Sequence, residues 1–366
     1  MRNRYLLIIA ICAVACIFSA CREMESSYRE YVVSGGITYP GKAKNLVAYS
    51  GFHRVKLSWN RGNDPSITHA RVFWNYFTDS LELAIPTNAD TISCIIDNLE
   101  ENNYSFIVKQ YNKNGGISIP SEALGIVYGD NYVSGLRNRI ISSVTINHLG
   151  VLNINWGEAD VTNGTIGMKV QYTDTLNNER TDFFGVSHNP SVIKPLASFR
   201  YRTLFVPDSM CIDTFYTDYQ ENTTDVQIMK SNWSVVDFSS QHNTSASNRV
   251  TNIIDDNLAT RWHTHLTSSS YPHHVTIDMG SVYKITAMSV ARPNGNVNGC
   301  DSFRIMLSLD NVTWTDAGTF DFDRLKDGAV IYKIEGSPSA RYFRFVGVTG
   351  PFNYMVMGEL GAYGTK

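Results

Sequence analysis

Val250-Thr251-Asn252-Ile253-Ile254-Asp255-Asp256-Asn257-Leu258-Ala259-Thr260-Arg261-Trp262-His263 is the stretch of this chain whose reading decides the fold. Asp255, Asp256, Asn257 and Thr260 crowd side-chain oxygens into one tight turn, and Glu359 is placed to reach it from the last strand. Carboxylate, carbonyl and hydroxyl oxygens in one place suit a hard cation such as calcium. A solvated polar turn capped without metal is the alternative for the same residues. Working outward, Val275-Thr276-Ile277-Asp278-Met279-Gly280, Ile305 to Trp314, Ala340-Arg341-Tyr342-Phe343-Arg344-Phe345 and Gly358 to Gly364 read as strands separated by polar turns.

In that order, the segments resemble a coagulation factor five/eight type C, or discoidin-like, domain. Val275 to Gly280 is similar to its "i-D-L-G" strand, with Met279 for the usual Leu. Ser308-Leu309-Asp310-Asn311-Val312-Thr313-Trp314 is similar to "S-x-D-G-x-x-W", with Asn311 where Gly is commoner, and Ala340 to Phe345 to "A-R-Y-v-R-l". The resemblance implies a jelly-roll-like β-sandwich with ligand loops at one end, a structural calcium held by Asp255, Asn257, Thr260 and Glu359, and Trp262 and Trp314 in the core.

Carbohydrate-binding relatives of the fold, the family thirty-two modules, use a His, an Arg, an Asn and an aromatic in these loops. The resemblance carries those roles to His263, with His265 beside it, to Arg292, to Asn298, and to Phe352 or Tyr354. The chemistry fits sugar: a neutral imidazole or an amide bonds hydroxyls, and an aromatic face covers the apolar side of the ring. Asn294 and Asn296 share the Arg292 loop, and Asn353 the last one. For Arg292 the alternative is a structural ion pair with nearby carboxylates, and for Phe352 a core contact. Four histidines, His263, His265, His273 and His274, fall between Trp262 and Val275. Zinc is the other reading of such crowding, although no Cys or carboxylate completes an ordinary ligand spacing there.

Upstream, Val55-Lys56-Leu57-Ser58-Trp59 and Leu152-Asn153-Ile154-Asn155-Trp156 each alternate at period two and end in tryptophan. Their separation is close to the roughly 100 residues of one immunoglobulin-like sandwich, whose early strand carries a core Trp. Strands are also expected over His69 to Asn75, Thr91 to Asp97 and Tyr104 to Val108, with a turn over Asn112 to Gly116. Leu99 followed by Tyr104-Ser105-Phe106-Ile107-Val108 resembles a fibronectin type III module, with Tyr104 as its tyrosine corner. That module is expected over 28–129, a divergent second one over 130–225, and the discoidin-like domain over 226–366. Met168 to Tyr172 and Phe199 to Thr203 still alternate in the second. The pair, with the N-terminal segment, resembles an uncharacterised family of bacterial surface lipoproteins, domain of unknown function forty-nine ninety-eight, which carries no known chemistry. The expected fold class is therefore all-β throughout.

The chain has 366 residues, more than one hydrophobic core supports. Arg2 and Arg4, then an apolar run from Tyr5 to Ala20, have the layout of an export signal over 1–20. Phe18-Ser19-Ala20-Cys21 resembles a bacterial lipobox, which implies lipidation of Cys21, a tether over 21–27 and an outer-membrane, cell-surface location. Ala13-Val14-Ala15-Cys16 is a competing site. Losing both arginines takes the formal charge from -3 to -5. With no Lys/Arg run, nucleic acid is excluded as a partner. Beyond the export segment only Cys94, Cys211 and Cys300 remain, too scattered for a disulfide framework and best read as small hydrophobes.

No phosphate loop, metalloprotease His pair or nucleophile elbow stands out. The expectation is a non-catalytic surface lipoprotein that captures glycan, near glycan transporters or glycosidases. An adhesin that binds a host protein or a lipid head group is the alternative, and His- and Asn-rich loops favour sugar.

Overall fold

The structure is a computed structural model that describes residues 36, 39–242, 245–267 and 270–366. The export signal, the tether and Cys21 lie outside the described residues. Those described are almost entirely β and form two compact units, one up to Ser134 with the return Met210–Asp213, the other Gly135–Ser209 with Thr214–Lys366.

The first unit has seven strands, β1 (Lys44–Phe52), β2 (Arg54–Asn60), β3 (Ile67–Trp74), β4 (Asp79–Ala84), β5 (Thr91–Asp97), β6 (Asn102–Asn112) and β7 (Ser121–Tyr128). They run in the order β4-β3-β6-β7-β1-β2-β5. Alternation in β2 sends Val55, Leu57 and Trp59 into the core, where they meet Ala70, Val72, Phe106 and Val108. Each buried Leu or Val contributes about 1.5–3 kcal/mol of apolar burial, which is why a five-residue pattern suffices to fix the strand. Tyr104 donates its hydroxyl to the Glu100 carbonyl at 3.1 Å, the expected tyrosine corner. Asn112 Oδ1 accepts from the amides of Asn114 and Gly116, and Gly115 takes the positive φ of 79° that closes the turn. In the return segment, Asp213 accepts two bonds from Arg54 and one from the Phe52 amide.

The second unit opens with β8 (Ile141–Ile146), β9 (Leu152–Trp156), β10 (Thr165–Asp174), β11 (Glu179–Gly185), β12 (Ser191–Ile193), β13 (Pro195–Phe205), β14 (Phe215–Tyr216) and β15 (Gln220–Glu221). Trp156 is buried and donates to Ser191 Oγ at 2.9 Å. Then come β16 (Val226–Ile228), β17 (Ser234–Phe238), β18 (Trp262–His263), β19 (His273–Ala291), β20 (Ser302–Ser308), β21 (Thr315–Asp321), β22 (Ala329–Lys333), β23 (Ser339–Thr349), β24 (Val356–Met357) and β25 (Glu359–Thr365).

One sheet continues across the expected boundary near 225. The short strand β16 pairs in parallel with β8 on one side and antiparallel with β25 on the other, so one sheet runs β12-β9-β8-β16-β25-β19-β23-β20-β21. One hydrophobic core follows it from Val144 to Ala362. Continuous backbone pairing and shared apolar burial join what the sequence presents as separate modules.

The family-like motifs turn out to be mutual supports. Asp278 of β19 takes a two-pronged bond from Arg341 of β23, at 2.9 and 2.8 Å, and the guanidinium holds its carboxyl below the usual range against the opposing effect of burial. Asp310 Oδ1 accepts from the amides of Val312 and Thr313, bonds that bring its pKa down to about 2, and Asn311 beside it adopts φ 61°. Asn tolerates that left-handed conformation better than most residues, which explains its standing in for Gly. Trp262 is fully buried as expected. Trp314 departs from expectation: it is half-buried, with the Arg344 guanidinium 4.5 Å from its ring centre.

Candidate functional site

A two-stranded ribbon positions the site. Trp262 pairs with Met357 and His263 with Val356, which brings the loop after β18 beside the segment leading into β24. Buried Thr264 locks the junction, its amide donating to the Met355 carbonyl and its hydroxyl accepting from the Met355 amide. Val356 N donates to the Asn298 carbonyl at 3.0 Å, which fastens the third loop to the same place. Gly350 opens the last loop because any side chain there would strike Tyr271: a Cβ would lie 2.0 Å from its hydroxyl oxygen.

Three rings stack across these loops. Phe352 and Tyr354 are parallel, 5.1 Å apart with 4° between planes, and Tyr354 continues onto His263 at 5.0 Å and 16°. Phe352 is 47% exposed, so it makes no core contact, and its outer face is open to a ligand. Asn298 Nδ2 donates to the Tyr354 hydroxyl at 3.3 Å. His263 Nδ1 lies 2.6 Å from the Thr264 carbonyl. A carbonyl only accepts, so Nδ1 carries the proton and Nε2 is left as an acceptor. Burial holds the His263 pKa below its ordinary value, with the Thr264 carbonyl opposing. A neutral imidazole, a carboxamide, a phenol and an open phenyl face thus share one small surface.

Other expected residues fall elsewhere. His265 Nδ1 accepts from the Thr267 amide, and its ring leans on His242 at 6.2 Å rather than joining the stack. His242 was invisible to the sequence pattern. It arrives from before the 250–263 stretch, its amide donates to the His263 carbonyl and its ring lies 5.3 Å from that of His263. His273 is buried and bonded to the Asn353 carbonyl, while His274, the next residue along β19, pairs with Asp237. Strand alternation sends these two histidines to opposite faces, and among the described residues no group of His, Cys, Asp or Glu converges as a metal site. Asn296 Oδ1 accepts from the Asn298 amide and shapes the turn, and Asn294 is exposed with its amide bonded to Leu258.

Arg292 corrects the expectation most clearly. Its side chain is 7% exposed, and its donors go to the carbonyls of Lys326, Leu325, Pro293 and Asn296 and to the Asp327 carboxylate at 2.5 Å. A guanidinium has five N–H donors, and these partners account for them, so Arg292 ties two loops together instead of meeting a ligand.

The oxygen-rich turn is also built differently from expectation. Asp255 accepts from the Asn257 amide and from the Thr260 hydroxyl, Asn257 Oδ1 accepts from the Ala259 amide, and Glu359 Oε1 accepts from the Asn257 amide at 3.3 Å. Lys230, absent from the expected set, directs its ammonium onto Glu359 and onto Asp256 at 2.7 Å. A calcium ion wants six to eight oxygens around it. Here Glu359 already holds a cation, Asp255 is shared between the turn and the Glu359 carboxyl, and Asn257 and Thr260 bond within the turn, so the residues as arranged do not fit calcium. Cys300 is buried and its thiol is pushed up to about 12 by that burial, which leaves it unreactive; Cys94 and Cys211 are half-buried.

Comparison with known proteins adds two family matches. Residues 21–215 match DUF4998, a domain of unknown function, and residues 235–360 match the F5/8 type C domain. A sialidase of Micromonospora viridifaciens is 28% identical over 143 residues, which is 36% of this chain and 21% of that protein. The chain thus spans about a fifth of the length of the curated relative it matches. Among solved structures, the C-terminal domain of a chitobiase from Bacteroides fragilis is 27% identical, with 38% of this chain and 97% of that one covered and a TM-score of 0.36. The family 32 CBM from Clostridium perfringens NanJ, in complex with galactose, is 17% identical, with 37% and 97% covered and a TM-score of 0.34.

Proposed function

We propose that this chain, which belongs to the DUF4998 family by a match over more than half its length and carries a C-terminal F5/8 type C domain, is a non-catalytic glycan-binding lipoprotein. A lipid on Cys21 would hold it at the outer-membrane surface, where it presents carbohydrate to transporters or glycosidases. The stack His263–Tyr354–Phe352 carries this reading. The half-open Phe352 face suits the apolar side of a sugar ring, and His263 Nε2 with the Asn298 carboxamide supplies an acceptor and a donor–acceptor group for hydroxyls. The sequence-based role for Arg292 drops out, since its donors are already bonded.

Binding without catalysis fits the chemistry at hand. Glu359, an acid–base candidate, is pushed up to about 7 mainly by burial, with Lys230 opposing, and its carboxyl is bonded inside the structure. The test is a glycan array with the soluble chain, followed by calorimetric titration of the sugars retained. Binding is expected for the parent chain and loss of it in Phe352→Ala and in His263→Ala, with melting temperature held. Equal binding by both variants, retention of protein or liposomes in place of glycan, or measurable hydrolysis of a polysaccharide would overturn the reading.

A further inference from the structure

We infer that the ammonium of Lys230 is the resident cation of the 255–260 turn, and that the C-terminal domain keeps its shape without a divalent metal. Lys230 opens a short turn, Lys230–Asn232, between β16 and β17. Its backbone is fixed on both sides: Met229 N donates to the Ile146 carbonyl at 2.9 Å, and Trp233 N donates to the Lys230 carbonyl at 2.9 Å. From there the side chain runs inward until it is 8% exposed, against a Glu359 side chain that is 11% exposed.

A buried carboxylate needs a partner, because desolvation strongly penalises the ionised form. Glu359 has one in the ammonium, and Asp256, at φ 60° in the turn, supplies a second oxygen to the same nitrogen. An ammonium offers three donors on a flexible stem. It does the charge balancing of a metal ion without coordination geometry, and its affinity cannot be diluted away because it is part of the chain. A divalent cation in the same place would meet that positive charge at contact range, where repulsion in a poorly solvated site is strong.

The test uses the full soluble chain and is independent of sugar binding. Metal content is measured by mass spectrometry after gel filtration, and unfolding is followed by scanning calorimetry with EGTA or with added calcium chloride. The parent chain is expected to carry calcium far below one ion per molecule and to melt at the same temperature in both solutions. Lys230→Met, which keeps the stem and removes the charge, is expected to lower the C-terminal transition by several degrees, and Lys230→Ala to regain part of that loss when calcium is added. Stoichiometric calcium in the parent chain, a chelator-induced fall in its melting temperature, or an unchanged transition in Lys230→Met would overturn the inference. If the lysine variants do not fold, the metal content and chelator response of the parent chain decide alone.

Discussion

Arg292 and Phe352 stand in loops of the same domain, and their surroundings are opposite. The arginine is enclosed, with carbonyls from two loops and one carboxylate around its guanidinium; the phenylalanine lies on the outside of a ring stack with one face covered and one bare. Residue type alone would rank the arginine first as a ligand group, because it has more donors. Unspent capacity reverses the ranking: a donor already bonded indoors is scaffold, and a half-covered ring is the group still free to meet a ligand.

Replacing Arg292 with Met is the sharpest way to break this comparison and has the largest expected effect. Several loop carbonyls would lose their donor at once, and each buried orphan costs about 1–3 kcal/mol, so a loss of about 3 kcal/mol or more is expected in urea unfolding. Sugar affinity of the molecules that remain folded should be unchanged. A normal unfolding midpoint with abolished binding would return Arg292 to the ligand set.

Phe352→Ala should do the reverse. Its ring is half-exposed, so unfolding should shift by less than about 0.5 kcal/mol, as for ordinary surface changes. Affinity should fall about tenfold, near 1.4 kcal/mol. A binding isotherm superimposable on that of the parent chain would move the ligand surface elsewhere.

The smallest effect concerns protonation of His263. Its folded pKa is depressed by burial, so the unfolded chain takes up the proton first as pH falls. Its contribution to stability is therefore complete above the ordinary imidazole range near 6.5 and is lost as pH drops through that range toward the folded value. Protonation also turns Nε2 from acceptor to donor, so sugar affinity should weaken between about pH 8 and about pH 5. His263→Gln, which keeps a planar polar group without a titrating ring, should flatten that slope; an unaltered pH profile in this variant would assign it to another histidine.

Much of the frame was legible in the chain. Period-two alternation located β2 and β9 because side-chain direction in a strand is a local property. The Asp278 motif was legible because its partner Arg341 belongs to another recurring strand, and the Asp310 motif because its partners are the amides of its own turn. What resisted reading depends on encounters across the fold. Lys230 lies 129 residues from Glu359 in sequence, and nothing near it announces a buried partner. His242 reaches His263 only through a loop bond, its amide on the His263 carbonyl, and Arg292 is spent mostly on carbonyls, which every residue carries and no sequence pattern displays. Trp314 fits a core motif by spelling, yet it is half-buried and a platform for Arg344.

The three-residue strand β16 also has a practical meaning for anyone who wants the C-terminal domain in isolation. A fragment cut to the family boundary at residue 235 would discard Val226–Ile228 and with it the ladder partner of β25. The exposed rim would offer unpaired amides and carbonyls to any neighbouring strand, a standing invitation to aggregate. A fragment beginning at Gly135 keeps that rim sealed.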